Sequence, residues 1–136
     1  MSEYTILRCS DAQDYTGDAP GAFLGYGRAL GAEQLALNVR VLAPHMSHVP
    51  PGSDPAWGHS HKTIEEIYFV LRGELKIKLG DAVETLGPWD AVRIAAATPR
   101  AVRNESDDEA AFVMVSVRTE DPRAESEPHE GFWPAG

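Results

Sequence analysis

Turn signals at Arg72-Gly73, Gly80-Asp81 and Gly87-Pro88 cut the middle of this chain into segments too short for a helix, and that punctuation constrains the fold more than any other feature. Between the turns the pattern has a period of two. Leu75, Ile77 and Leu79 are separated by Lys76 and Lys78, and glycine at a turn takes a positive φ at low cost. Ile67 to Leu71 is a continuous apolar run, Val83 to Leu86 returns, and Ala91 to Ile94, Ala101 to Asn104 and Ala111 to Val117 complete the strand set. Upstream, Leu35, Leu37, Val39 and Val41 alternate with residues such as Asn38 and Arg40, which predicts a strand that buries its Leu/Val face. No amphipathic segment reaches helix length. The chain therefore reads as all-β, a sandwich or a barrel.

A length of 136 residues fits a single domain with one sizeable core. Residues 1–34 predict an irregular segment with one short turn of helix and an edge strand. Residues 35–118 carry the strands, and residues 119–136 form an acidic, proline-containing tail. That tail is either disordered or docked through Phe132 and Trp133. Four prolines between Pro44 and Pro55 exclude a central strand there. A formal charge of −9 repels nucleic acid and anionic lipid, so neither is expected as a partner. The single cysteine, Cys9, allows no intrachain disulfide and reads as a small apolar filler. With no apolar stretch of bilayer-spanning length, the expected location is the cytoplasm.

The chemistry concentrates at His59-Ser60-His61. On a strand, residues i and i+2 share a face, so both imidazoles can converge on one ion. Glu66 opens the next apolar strand, and a short turn would aim it at the same point. Two neutral imidazoles and a carboxylate make a three-ligand site for a divalent transition metal, with Zn, Fe, Ni, Mn and Cu all acceptable to such donors. Tyr68 shares the face of Glu66 and is a candidate pocket donor, although a core tyrosine fits as well. His45 and His48 lie in the proline-rich loop, and His129 in the tail; solvent exposure is expected for all three.

The run from His59 to Gly73 resembles the first motif of the cupin family: His-x-His, three or four residues, Glu, six residues, Gly. Glu66 has six residues before Gly73, so it matches the motif carboxylate and Glu65 does not. The motif's leading glycine corresponds to Gly52, one residue early. Residues 89–104 fit the spacing of the second motif, but Trp89, Ala95, Ala97 and Arg100 stand where the family has Gly, Pro, Gly and His, and only Asn104 is retained. The resemblance implies a single double-stranded β-helix, or jelly-roll, barrel of cupin type, usually a homodimer.

In metal-binding cupins the second-motif His is the remaining ligand. Arg100 has no lone pair to donate, so it cannot replace that ligand. Either the metal is lost and Arg100 pairs with Glu66, or three ligands hold the ion and Arg100 contacts the carboxylate or phosphate of a small anion. The first expectation is thus a small metal-binding cupin acting on a small, anionic molecule, with Arg100 and Tyr68 as substrate contacts. Oxygenase, isomerase and decarboxylase chemistries all occur on cupins, and the fold does not choose among them. The alternative is a metal-free module that binds a small ligand without catalysis, and a third reading is an assembly subunit. Arg93 and Arg103 are expected on the surface, and Trp89 reads either as unremarkable packing or as a residue that narrows the barrel mouth.

Overall fold

A computed structural model describes residues 3–135. Its strands are β1 (Gln13–Asp14), β2 (Ala22–Gly25), β3 (Leu35–Leu42), β4 (Gly58–His61), β5 (Glu66–Arg72), β6 (Leu75–Leu79), β7 (Ala82–Leu86), β8 (Ala91–Ile94), β9 (Arg100–Arg103), β10 (Ala110–Val117) and β11 (Ser126–His129). Two single-turn helices, α1 (Gly27–Leu30) and α2 (Pro122–Glu125), and a 3-10 turn at Cys9–Asp11 complete it. Every pairing is antiparallel. One sheet runs β1-β2-β3-β10-β5-β8 and the other β11-β4-β9-β6-β7, which gives the all-β architecture that the turn spacing predicts and the jelly roll that the cupin resemblance implies. Among the described residues no helix is long and apolar enough to cross a membrane.

The core between the sheets gathers Leu42, Tyr68, Val70, Leu75, Ile77, Ile94, Val102, Phe112 and Met114. Gly73 shows why its turn needs glycine: φ is +74°, and a Cβ would lie 2.6 Å from the Glu109 carbonyl oxygen. The retained Asn104 is structural. Its buried amide donates to the carbonyls of Leu42, Ala43 and Asp108, while its oxygen accepts from Ser106, tying the β9–β10 connection to the end of β3. Trp89 keeps the left-handed backbone, φ 70°, that glycine adopts without strain. Its ring stands 80 % exposed beside Phe69 and does not line the cavity, so it does not narrow the mouth.

The structure reverses one expectation. On β3 the inward positions are Arg40 and Leu42, both buried, and Leu35 and Leu37 lie exposed. The Leu/Val series continues across neighbouring strands, pairing Leu35 with Val117, Leu37 with Val115, and Val115 with Ile67. An apolar stripe thus covers the outside of this sheet, while its inner face accommodates a guanidinium. Cys9 is exposed rather than packed as filler.

The C-terminal segment is ordered onto the second sheet. β11 pairs with β4, and His129 Nε2 lies 2.8 Å from Ser60 Oγ, so this histidine is engaged rather than free in solvent. Lys78 Nζ sits 4.4 Å from the centre of the Phe132 ring, and Arg103 lies 4.1 Å from that of Trp133. Arg103 is accordingly half-buried, whereas Arg93 is exposed and pairs with Glu65. Gly58 permits this docking: a Cβ there would come within 2.5 Å of the Phe132 ring.

Candidate metal centre

His59 and His61 project from β4 on one face, and Glu66 begins β5 opposite them. One ligand atom from each of the three lies within 4.8 Å of the others, at the wall of an open cavity of about 1380 Å³. The rings of His59 and His61 are nearly perpendicular, and Trp57 stacks on His59 with centroids 5.2 Å apart. All three side chains are half-buried.

The charge states suit ligation. Burial pushes the His59 imidazole down to about 3, helped by the charge His48 would carry, so its ring is neutral with a free lone pair. Burial acts to raise the Glu66 carboxyl, but the close approach of the His61 ring and the Arg100 charge outweigh it and hold the group ionised. Tyr68 is buried, which keeps its phenol protonated, and it donates to Glu66 Oε1 at 3.2 Å. His61 Nε2 lies 3.0 Å from the same oxygen without the alignment of a hydrogen bond. Both ring nitrogens of His61 are therefore buried without a hydrogen-bond partner. Buried nitrogens of this kind are ordinarily satisfied, so an ion is a fitting partner for the donor set.

Arg100 sits directly across from His59, on the neighbouring strand β9. Its side chain is fully buried. Nη2 donates to the Ala95 carbonyl at 2.8 Å, and Nη1 reaches to 3.6 Å from Glu66 Oε1. Nε and Nη1 make no hydrogen bond. Neither Arg100 nor Tyr68 lines the cavity; both lie behind Glu66.

A histidine expected in solvent faces the cavity instead. His48 is half-buried on the wall, stacked on Phe23 and edge-on to Phe112. Arg40 Nε donates to its Nδ1 at 3.2 Å, and burial first, then the Arg40 charge, pushes the ring down to about 3. His45 is exposed and pairs with Asp107.

The double-sheet scaffold that carries these residues has counterparts. A sequence profile described as a cupin domain matches residues 45–116. The chain belongs to the cupin family. No curated protein matches its sequence. Among solved structures, a cupin protein from Bacteroides fragilis is 24% identical over 89% of each chain, with a TM-score of 0.69. A protein described as a sugar phosphate isomerase of the cupin superfamily, from Silicibacter pomeroyi, is 18% identical over 96% of each chain, with a TM-score of 0.70. An oxalate decarboxylase from Bacillus subtilis is 17% identical over 93% of this cupin but 32% of its own length, with a TM-score of 0.73. At these identities the likeness is one of fold.

Proposed function

We propose that this cupin holds a first-row divalent ion on His59, His61 and Glu66 and acts with it on a small organic anion. The observation that carries the reading is the convergence of two imidazoles and an ionised carboxylate within 4.8 Å on the wall of an open cavity. Such an ion supplies Lewis-acid polarisation of a substrate oxygen. The anionic preference comes from charge. Arg40 and Arg100 are both buried beside this region, against the one buried carboxylate of the site, Glu66. The local balance is positive in a chain of net charge −9, and a bound dication makes it more so. Because Arg100 and Tyr68 lie behind Glu66, both act on substrate through that carboxylate. Arg100 helps the nearby His61 ring hold it ionised, and Tyr68 fixes its orientation.

A metal-free binding module is the second reading. Its support is the Arg100 guanidinium, which stands where a fourth ligand would be and approaches Glu66. Elemental analysis of protein purified without chelator or histidine tag separates the two. We expect about one zinc, iron, nickel, manganese or copper ion per chain, lost in His61→Ala. Substoichiometric metal in every preparation, unchanged by adding these ions, leaves the binding module. The proposal includes a homodimer joined through the apolar outer stripe of the six-stranded sheet, since patches of that kind mark interaction surfaces. It also includes a cytoplasmic location, in keeping with the lone exposed cysteine.

A further inference from the structure

The wall of the cavity carries a second polar device that the three ligands do not use. Arg40, on β3, is buried at 3 % exposure, and its Nη1 donates to the carbonyls of Ala22 and Val41. Its Nε donates to His48 Nδ1. A guanidinium has no lone pair, so the nitrogen facing it must accept; His48 is fixed as the neutral tautomer with its proton on Nε2. The ring is held in position. Phe23 stacks on one side, Phe112 meets it edge-on, and the His48 backbone N–H donates to the Val102 carbonyl on β9. Among the described residues Nε2 has no hydrogen-bond partner, and it is not among the buried unpartnered atoms, so it opens to the cavity that His48 lines.

Arg40 has no ion-pair partner among the described residues. Asp14, the carboxylate whose field reaches it, is exposed and occupied by Thr16 and the Phe23 backbone. A buried positive charge therefore stands behind a single N–H aimed into the cavity. A polarised donor of this sort suits an anionic oxygen and gives nothing to a cation or an apolar group.

We propose that His48 is the second anchor of the substrate anion, its Nε2–H donating to a carboxylate or phosphate oxygen while the opposite end of the molecule lies at His59, His61 and Glu66. Arg40 is a positioning residue that acts through the His48 tautomer. The ligand class is a small anion with oxygen acceptors at both ends, such as a dicarboxylate. This inference rests on the proposed function.

Calorimetric titration of metal-loaded protein with acetate, oxalate, malonate, succinate and inorganic phosphate tests it, on the parent and on His48→Phe and His48→Gln. Phenylalanine keeps the aromatic packing and lacks the donor, whereas glutamine retains an N–H near the Nε2 position. We expect at least one dianion to bind the parent more tightly than acetate does. His48→Phe should bind it about tenfold or more weakly, with His48→Gln restoring most of the loss, and metal content should be unchanged in both. Nitrogen-15 spectra of the parent should find His48 protonated on Nε2, a state lost in Arg40→Met. Equal affinity of His48→Phe and parent, or an Nδ1-protonated ring in the parent, overturns the second anchor alone. A parent that holds metal and binds none of these anions also overturns it, whereas a parent that holds neither metal nor anion fails the proposed function first.

Discussion

Replacing Arg100 by His tests how the site balances its charges. In the wild-type protein the guanidinium lies 3.6 Å from Glu66 Oε1. At an effective dielectric constant near 20 that separation corresponds to about 5 kcal/mol of gross attraction, largely offset by the cost of burying both groups. Removing one partner leaves Glu66 short of a counter-charge, and without metal we expect a loss of about 3 kcal/mol. For a domain of 136 residues that lowers Tm by roughly 12 °C. With metal the effect reverses. Histidine at this position faces His59 across the β4–β9 pair, removes a repelling charge and adds a lone pair. Each tenfold gain in zinc affinity adds about 1.4 kcal/mol of ligand-linked stability at saturating zinc, or roughly 5 °C. Thermal unfolding of wild type and Arg100→His, each titrated with zinc, gives the comparison. If the zinc-induced rise in Tm is no larger in the variant, the three ligands do not converge on an ion and the reasoning fails.

Two other expectations follow from features away from the ligands. Glu125 accepts hydrogen bonds from the backbone of Thr63 and Ile64 and from the Thr63 hydroxyl, which holds its carboxyl below the usual range. A carboxyl with a lower pKa in the folded chain contributes stability above its unfolded pKa and loses it as pH falls; Glu125→Gln should therefore narrow the difference in urea midpoint between pH 7 and pH 3, and equal acid sensitivity in both proteins refutes the assignment. Leu37→Glu puts a charge in the outer stripe opposite Val115; light scattering should find the proposed dimer in wild type and monomer in the variant, and an unchanged mass removes this face as the interface.

The strands from Leu35 to Val117 were legible because glycine or proline turns separate most of them and because they are short apolar runs or alternate with period two. The direction in which β3 faces was not. Leu35 and Leu37 resemble core residues, yet the inward positions of β3 are Arg40 and Leu42, and Leu35 and Leu37 point outward. That same inversion concealed Arg40, and with it the role of His48, whose place depends on backbone bonds from the 45–48 loop to β9 rather than on any local pattern. The ligand cluster was legible, since spacing on two successive strands is enough to bring His59, His61 and Glu66 together. The place of Arg100 beside Glu66 was legible only through the second-motif spacing, since nothing in its immediate neighbours distinguishes it from the exposed Arg93. β11 escaped notice for another reason. Ser-Glu-Pro-His has no strand periodicity, and it becomes a strand through the backbone groups that β4 offers; its proline is tolerated because β11 lies at the sheet edge.

The pairing of β11 with β4 sets a timetable for making the site. β4 meets β9 through a single residue pair, His59 with Arg100, while β11 matches every residue of β4 from Gly58 to His61. Ser126 follows its partner His61 by 65 residues (126 − 61). At synthesis rates of about 5–20 residues per second, the two histidines emerge roughly 3–13 s before the strand that steadies them. During that interval β4 lacks the strand that pairs with all four of its residues. The ion proposed for His59, His61 and Glu66 would then have its finished site only after β11 has paired with β4.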